Sequence, residues 1–322
     1  MSTANLTQSG ITSASPADMF DLRPSNVVTI GGSGTSTVHK IDINFNETGD
    51  NFLSHSNYML IMGHNFEQAN VRFRVQHSDS STFADGTVQS LALTELVNIG
   101  GDQGIGVSDG NESNGTYTGA VSWNGWSLFS FPPGTANNQY WRISLKPVSG
   151  NYTTDIKIAS ISMGDMWSFP HAPDLNIRKS IDFRNTVQES VGGMTYSNVT
   201  GVAAPHWGGM FEAFDAKNHV TPNQMRKAGK MTYDMKFSYM TDSDIFYSEL
   251  YQEEDIFTED SFMGSVLQRT LGTHHPFLIQ WDDSTAALVR DNFSWVRFTD
   301  VPQFNQVAHR VWDANVSVTE QY

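Results

Sequence analysis

Cysteine does not occur anywhere in this sequence of 322 residues. Its absence excludes thiol nucleophiles, thiolate metal sites and the disulfide framework of small secreted scaffolds. Basic residues are scarce as well: 19 Lys and Arg stand against 34 Asp and Glu, a net charge of −15. Tracking a phosphate backbone requires clustered cations that release counterions, and no such cluster is present, so nucleic acid is not an expected partner. The same acidic balance disfavours an anionic membrane surface. No run approaches the roughly 20 apolar residues of a membrane-spanning helix. The opening MSTANLTQSGITSASPADMF has neither a basic nor an apolar leader region. Membrane insertion and signal-directed export are therefore not expected.

Catalytic signatures are missing too. There is no HExxH pair, no G-x-S-x-G elbow and no phosphate loop, since GGSGTS near Gly31 lacks the lysine such a loop needs. His274 and His275 are adjacent, so in a strand they would point to opposite faces and could share a metal only if the backbone turned there. His171 and His206 lack paired ligand spacing. SDGNESNG, residues 108–115, is oxygen-rich but does not fit a calcium-loop register. Glu249, Glu253, Glu254, Asp255, Glu259 and Asp260 lie close in sequence. They suggest either glycoside acid/base chemistry or, more simply, a solvated face with a helix-dipole complement. The sequence predicts no enzyme, no cofactor and no metal.

What is present is the alternation of β-structure. Val71, Phe73 and Val75 alternate with Arg72, Arg74 and Gln76, and Trp141, Ile143 and Leu145 with Arg142, Ser144 and Lys146. Period two with one apolar face predicts a strand with one dry side. YMLIM, residues 58–62, is dry throughout and predicts a strand buried between sheets. The slip of phase at Ala159-Ser160 predicts a bulge. Pro170 and Pro173 interrupt the pattern. The expected organisation is a flexible arm over 1–19, a β-sandwich over 20–168, a linker over 169–176, and a second β-sandwich or barrel over 177–322. MTYDMKFSYM, residues 231–240, reads there as a strict period-two strand, and a crossing helix is expected near 259–271, capped by Thr258 and stopped by Gly272.

The Gly-rich stretch 98–125 is long for a connection within a compact domain, and loops of this length tend to be functional. Tyr117, Trp123 and Trp126 are the candidate binding residues, as platforms for sugar rings or anchors for a protein. The simpler alternative is that Trp123 and Trp126 open the next core strand, WSLFSF.

The turn Gly63-His64-Asn65-Phe66, the strand VRFRVQHS, and then YWRISL, IKIASISMG and MWSFPHAPD occur in one order. That order resembles the N-terminal module of structural proteins from tailed bacteriophages, a jelly-roll sandwich similar to discoidin or galactose-binding domains. It spans roughly residues 25–170. SIDFRNTVQESVGGMTYSN, GTHHPFLIQWDD and VSVTE resemble the C-terminal regions of such proteins. The resemblance implies two all-β domains and a virion tail component at the distal tail or baseplate, made in the host cytoplasm. It also implies a ring of copies contacting neighbouring tail proteins, with Gly63, His64 and Asn65 as a structural turn. Host surface glycan is the alternative partner, and glycan hydrolysis the third reading.

Overall fold

The computed structural model describes residues 6–8, 15–23, 26–44, 56–83, 88–90, 94–95, 125–131, 139–183, 185–199, 230–246, 261–280 and 293–321. They form two compact all-β units, the first ending at Met166 and the second starting at Trp167.

Unit 1 is an antiparallel sandwich. One sheet runs, edge to edge, β1 (Leu6–Gln8), β3 (His39–Asn44), β9 (Tyr140–Pro147), β5 (Val71–Ser78) and β6 (Val88–Ser90). The other runs β11 (Ser160–Gly164), β4 (Tyr58–His64), β8 (Gly125–Ser130) and β7 (Thr94–Glu95), and β2 (Val28–Ile30) pairs with β10 (Ile156–Ile158). The chain passes repeatedly from one sheet to the other, as in jelly rolls. Ile41, Phe73, Val75, Trp141 and Ile143 of the first sheet meet Met59, Ile61 and Phe129 of the second in one continuous core. Each such side chain taken fully out of water contributes roughly 1.5–3 kcal/mol before entropy is charged.

Alternation in β5 and β9 follows the sequence pattern: Phe73, Trp141, Ile143 and Leu145 are fully buried, while Arg72, Arg74 and Arg142 are partly exposed. Arg142 grips Asp42 on β3 with two parallel hydrogen bonds, Nε to Oδ1 at 2.6 Å and a terminal nitrogen to Oδ2 at 2.7 Å. β4 is dry on both sides, but not because it lies wholly between the two sheets. Met59 and Ile61 enter the inter-sheet core, whereas Leu60 and Met62 are buried on the opposite face, across from Leu128 and Trp126 of β8.

Residues 1–19 do not behave as an arm where they are described. Leu6–Gln8 pairs with β3, and Pro16–Phe20 forms a helical turn closed by a capping box between Ser15 and Asp18. Met19 from that turn is fully buried in the unit 1 core. The sequence read this segment as loose because its small polar residues dominate. One buried methionine and a proline-started cap outweigh them.

Unit 2 is a six-stranded sheet in the order β12 (Arg178–Asp182), β15 (Lys230–Thr241), β19 (Val311–Glu320), β17 (Phe293–Phe298) and β16 (Phe277–Gln280), with β18 (Gln303–Ala308) also on β19. β13 (Asn185–Glu189) and β14 (Thr195–Val199) make a separate hairpin. One sheet face, carrying Tyr233, Met235, Phe237, Val296, Phe298, Val316 and Val318, shares its core with the helical segment Phe262–Gln268. Ser261 rather than Thr258 caps that segment, its hydroxyl accepting from the Gly264 amide at 3.2 Å. Gly272, at φ +65°, ends the helical turns by donating to Leu267.

Two expectations differ from the structure here. The stretch 169–176, read as a linker, packs into unit 2: Phe169 stacks on Phe237 at 3.8 Å, Trp167 meets Phe169 and Phe262, and Asp174 donates its amide to Lys236. Prolines disfavour helix but do not prevent an extended segment from burying aromatics. Strict alternation also fails at the end of β15, where Tyr239 takes φ +64° and the pairing with β19 shifts between Phe237 and Met240. Met240 is consequently buried and Tyr239 is 75% exposed. This bulge is held by Asp313, which accepts from the Tyr239 amide, while the neighbouring Ser238 hydroxyl donates to Asp174 at 2.7 Å.

Candidate functional site

Gly63-His64-Asn65 is a joint within unit 1. Gly63 adopts φ +64°, and the β4–β8 pairing shifts across it. A Cβ at this position would sit 2.3 Å from the Ala159 Cβ, so the close approach of β4 to the β10–β11 corner requires glycine. His64 is buried, bonded through Nε2 to the Ser127 hydroxyl at 2.8 Å and stacked on Phe66 at 4.4 Å. The Asn65 side chain bridges a second strand. Its amide nitrogen donates to the Asp155 carbonyl at 2.9 Å and its oxygen accepts the Lys157 amide at 2.8 Å.

The slip at Ala159 is explained at the same joint: β10 belongs with β2, β11 belongs with β4, and Ala159 is the crossing residue. Asp155 completes it by accepting the Gly32 and Ser33 amides at 3.0 and 3.1 Å, which holds its carboxyl below the ordinary value. These groups are satisfied by one another, and the turn is architectural.

Trp126 is not a loop platform. It lies on β8, only 7% exposed, opposite Met62. Tyr117, Trp123, the 108–115 segment, His206 and the acidic cluster from Glu249 to Asp260 lie outside the described residues. His274 and His275 fall in a turn, and their rings come within 4.6 Å. The strand argument for opposite faces therefore does not apply. No third metal-binding side chain joins them among the described residues. Burial first, then the charges of His274 and Arg297, lower the His275 pKa.

A shallow, open cleft among the described residues lies on the outer face of the unit 2 sheet. Its volume is about 780 Å³. Its floor is β15 and β19, flanked by β12 on one side and β18 on the other. Antiparallel register arranges polar side chains in two cross-strand rows. Arg178, Asp234 and Ser317 stand opposite one another in the first, and Lys236, Asn315 and Gln303 in the second. Asn176, Asp300 and Val301, from the segments just before β12 and β18, complete the lining.

Three of these groups are fixed in place. Ser317 donates to Asp234 at 2.5 Å, and Lys236 pairs with Asp313 at 2.6 Å, which raises the lysine's pKa and lowers the aspartate's. Arg178, Asn315, Gln303 and Asn176 are exposed. Amides offer both donors and acceptors, guanidinium offers donors in a plane, and carboxylates accept. Among the described residues, no aromatic ring lines the cleft. Among the described lining residues, Arg178 and Lys236 balance Asp234 and Asp300. Such a lining offers hydrogen-bond donors and acceptors in nearly balanced charge. Sequence alternation marked Asp234, Lys236, Asn315 and Ser317 as a wet strand face. Only strand pairing brings them together.

No family model matches the chain, and no curated protein does. Among solved structures, a pectin-binding carbohydrate-binding module is similar at TM-score 0.31 and 14% identity, over 51% of this chain and 92% of that one. A carbohydrate-binding module of AlyQ in complex with 4,5-unsaturated mannuronic acid gives 0.28 and 12%, over 49% and 92%. A module from a family 31 glycoside hydrolase of Clostridium perfringens gives 0.27 and 11%, over 50% and 94%. At this overlap the likenesses assign neither ligand nor site, and the all-β sandwich of unit 1 stands on its own strand pairing.

Proposed function

We propose that this chain is a non-catalytic glycan-binding protein whose binding surface includes the polar cleft of unit 2. The observation that carries this reading is the convergence of Arg178, Asn315 and Gln303 on a cleft of about 780 Å³, a volume within the range of small-ligand sites. Hydroxyl groups of a saccharide satisfy such amides and a guanidinium without any bond being made or broken. The balanced charge favours neutral sugars over uronates. The test is calorimetric titration of the full chain against a panel of neutral and acidic oligosaccharides, repeated with Arg178→Ala and Asn315→Ala. Binding of a neutral oligosaccharide, weakened about tenfold in Arg178→Ala, is the expected result, that being the loss of one hydrogen bond to a charged group. Binding unchanged in both variants, or none to any sugar, sinks the reading.

A second reading, a component of a larger protein assembly, is favoured by a different observation. Val187, Val191, Met194 and Tyr196 of the β13–β14 hairpin are each at least 60% exposed. An isolated two-stranded hairpin is marginal in water, and a neighbour that covers it would supply the missing burial. The resemblance to phage tail proteins gives this reading its finer form, a ring-forming component of the distal tail or baseplate. Glycan binding and assembly are compatible in one chain, since attachment proteins of low affinity gain from being held in several copies.

A further inference from the structure

Strict alternation along β15 would send Tyr239 inward. Tyr233, Met235 and Phe237 all enter the unit 2 core, and Tyr239 is next in the same period. The bulge breaks that period. Ser238 and Tyr239 together oppose the single residue Asp313, Met240 takes the next core position, and Tyr239 is left 75% exposed. A bulge re-aims a side chain, and this one does so under strain, since φ +64° is unfavourable for a residue with a Cβ and most of all for a bulky one. Such strain persists only where the surroundings hold it. Here Asp313 accepts the Tyr239 amide, Lys236 pairs with Asp313 at 2.6 Å, and Ser238 donates to Asp174 at 2.7 Å. Glycine would make the same turn without strain.

The exposed ring stands beside the polar cleft. On the outer face of the sheet, cross-strand rungs follow one another: Asp234 with Ser317, then Lys236 with Asn315 and Gln303, then the Ser238-Tyr239 bulge with Asp313 and Asn305. Successive rungs are two residues, about 7 Å, apart, so the three extend over about 14 Å. The first two belong to the cleft, and Tyr239 is one rung past it. Its phenol is within electrostatic reach of the Lys236 ammonium, which lines the cleft from the middle rung.

We propose that Tyr239 is the stacking platform of a second subsite, which takes a pyranose ring of a saccharide chain whose neighbouring units occupy the polar cleft. The two parts suit the two sides of a sugar. A pyranose carries hydroxyls around its edge and C–H groups on its faces, so amides, a guanidinium and carboxylates meet the edge while a flat, exposed phenol ring meets a face. Asn305, exposed on the bulge's rung, continues the row of amides that Gln303 begins. A span of about 14 Å is longer than one sugar ring, so the ligand is an oligosaccharide rather than a monosaccharide. This subsite rests on the glycan reading of the cleft, and adds to it the ligand's length and its direction along β15.

The experiment is calorimetric titration of the full chain with gluco-, manno-, galacto- and xylo-oligosaccharide ladders, each from the monosaccharide to the hexasaccharide. Wild type is compared with Tyr239→Gly, Tyr239→Ala, Tyr239→Phe and Arg178→Ala. In wild type the affinity for the ladder that binds rises with length. Tyr239→Gly and Tyr239→Ala flatten that rise, the hexasaccharide losing about tenfold while the shortest bound member does not. Tyr239→Phe, which keeps the ring, restores the rise. Tyr239→Gly relieves the positive φ and melts no lower than wild type, which separates loss of the ring from loss of the fold. A hexasaccharide bound equally by wild type and Tyr239→Gly, but more weakly by Arg178→Ala, overturns the subsite and leaves the cleft reading standing. Equal losses at every length in Tyr239→Gly overturn a separate subsite as well. Failure of wild type to bind any ladder overturns both the subsite and the glycan reading.

Discussion

Replacing Gly63 by alanine tests the joint on which unit 1 depends, and its two costs can be worked separately. The backbone there has φ +64°, a region that costs an alanine about 1–2 kcal/mol relative to glycine. The added methyl carbon would lie 2.3 Å from the Ala159 Cβ, and overpacking of this kind costs about 1–3 kcal/mol as the strands give way. Gly63→Ala is therefore expected to destabilise unit 1 by about 2–5 kcal/mol, read as a shift of the urea midpoint followed by near-ultraviolet signal. Ala159→Gly alone removes one buried methyl and loosens the crossing, at about 1–2 kcal/mol. In the double variant the methyl at 63 enters the space vacated at 159, so the clash disappears and only the φ cost remains. The two changes must couple, with the double variant at least about 1 kcal/mol more stable than the sum of the singles predicts. Strict additivity would refute the reasoning, because it would mean that the β4 turn and the β10–β11 crossing do not touch.

Removing a native carboxylate–amide contact should alter acid stability with a definite sign. The Asp155 carboxyl is held below its ordinary value by the Gly32 and Ser33 amides, so its contribution is complete above about pH 4 and is lost as pH falls further through the folded value. Asp155→Asn should flatten that part of the pH–stability curve, and an unchanged acid limb in the variant would count against the contact. His77 behaves differently: burial, partly offset by Asp79, lowers its pKa, so stability falls as pH drops below the ordinary histidine range. His77→Gln should remove that slope between pH 7 and 5.5, measured by thermal melts at several pH values. Glu320 has the opposite sense, since burial raises its pKa and the folded state takes up a proton before the unfolded state as pH falls toward the ordinary carboxylate range. Glu320→Gln should abolish that gain while keeping the acceptor for the Met231 amide. In the second unit, Phe169→Ala removes a ring stacked on Phe237 and touching Phe262, and should cost about 2–4 kcal/mol in a denaturant melt. A cost under about 0.5 kcal/mol would return residues 169–176 to the status of a linker.

Much of the architecture was legible from alternation. Trp141, Ile143 and Leu145, or Tyr233, Met235 and Phe237, repeat every second residue because a pleated strand with one buried face leaves no other economical arrangement. The all-β class, the strand positions in 58–62, 71–76 and 140–146, and a helix expected near 259–271, seen as the shorter segment Phe262–Gln268, follow from composition and period alone. The need for glycine at position 63 is less accessible. The letter G permits any turn, and only the approach of Ala159, ninety-six positions later in the chain, shows why no other residue fits.

Tertiary structure decided the rest, because a strand's sequence does not state its neighbours. Trp126 reads in sequence as a loop platform or, more simply, as the start of a core strand, and pairing with Met62 decides for the core. The bulge at Tyr239 is invisible in a run that alternates without a break, since it is imposed by Asp313 from another strand. Arg178, Asp234 and Ser317 come from three distant segments, Lys236 joins Gln303 and Asn315 of the β18–β19 hairpin from far along the chain, and each is an ordinary wet-face residue within its own strand. Period determines which side a residue faces, and that is local. Register and strand order determine which residues share a surface. Those depend on long-range pairing, which one strand's pattern does not encode.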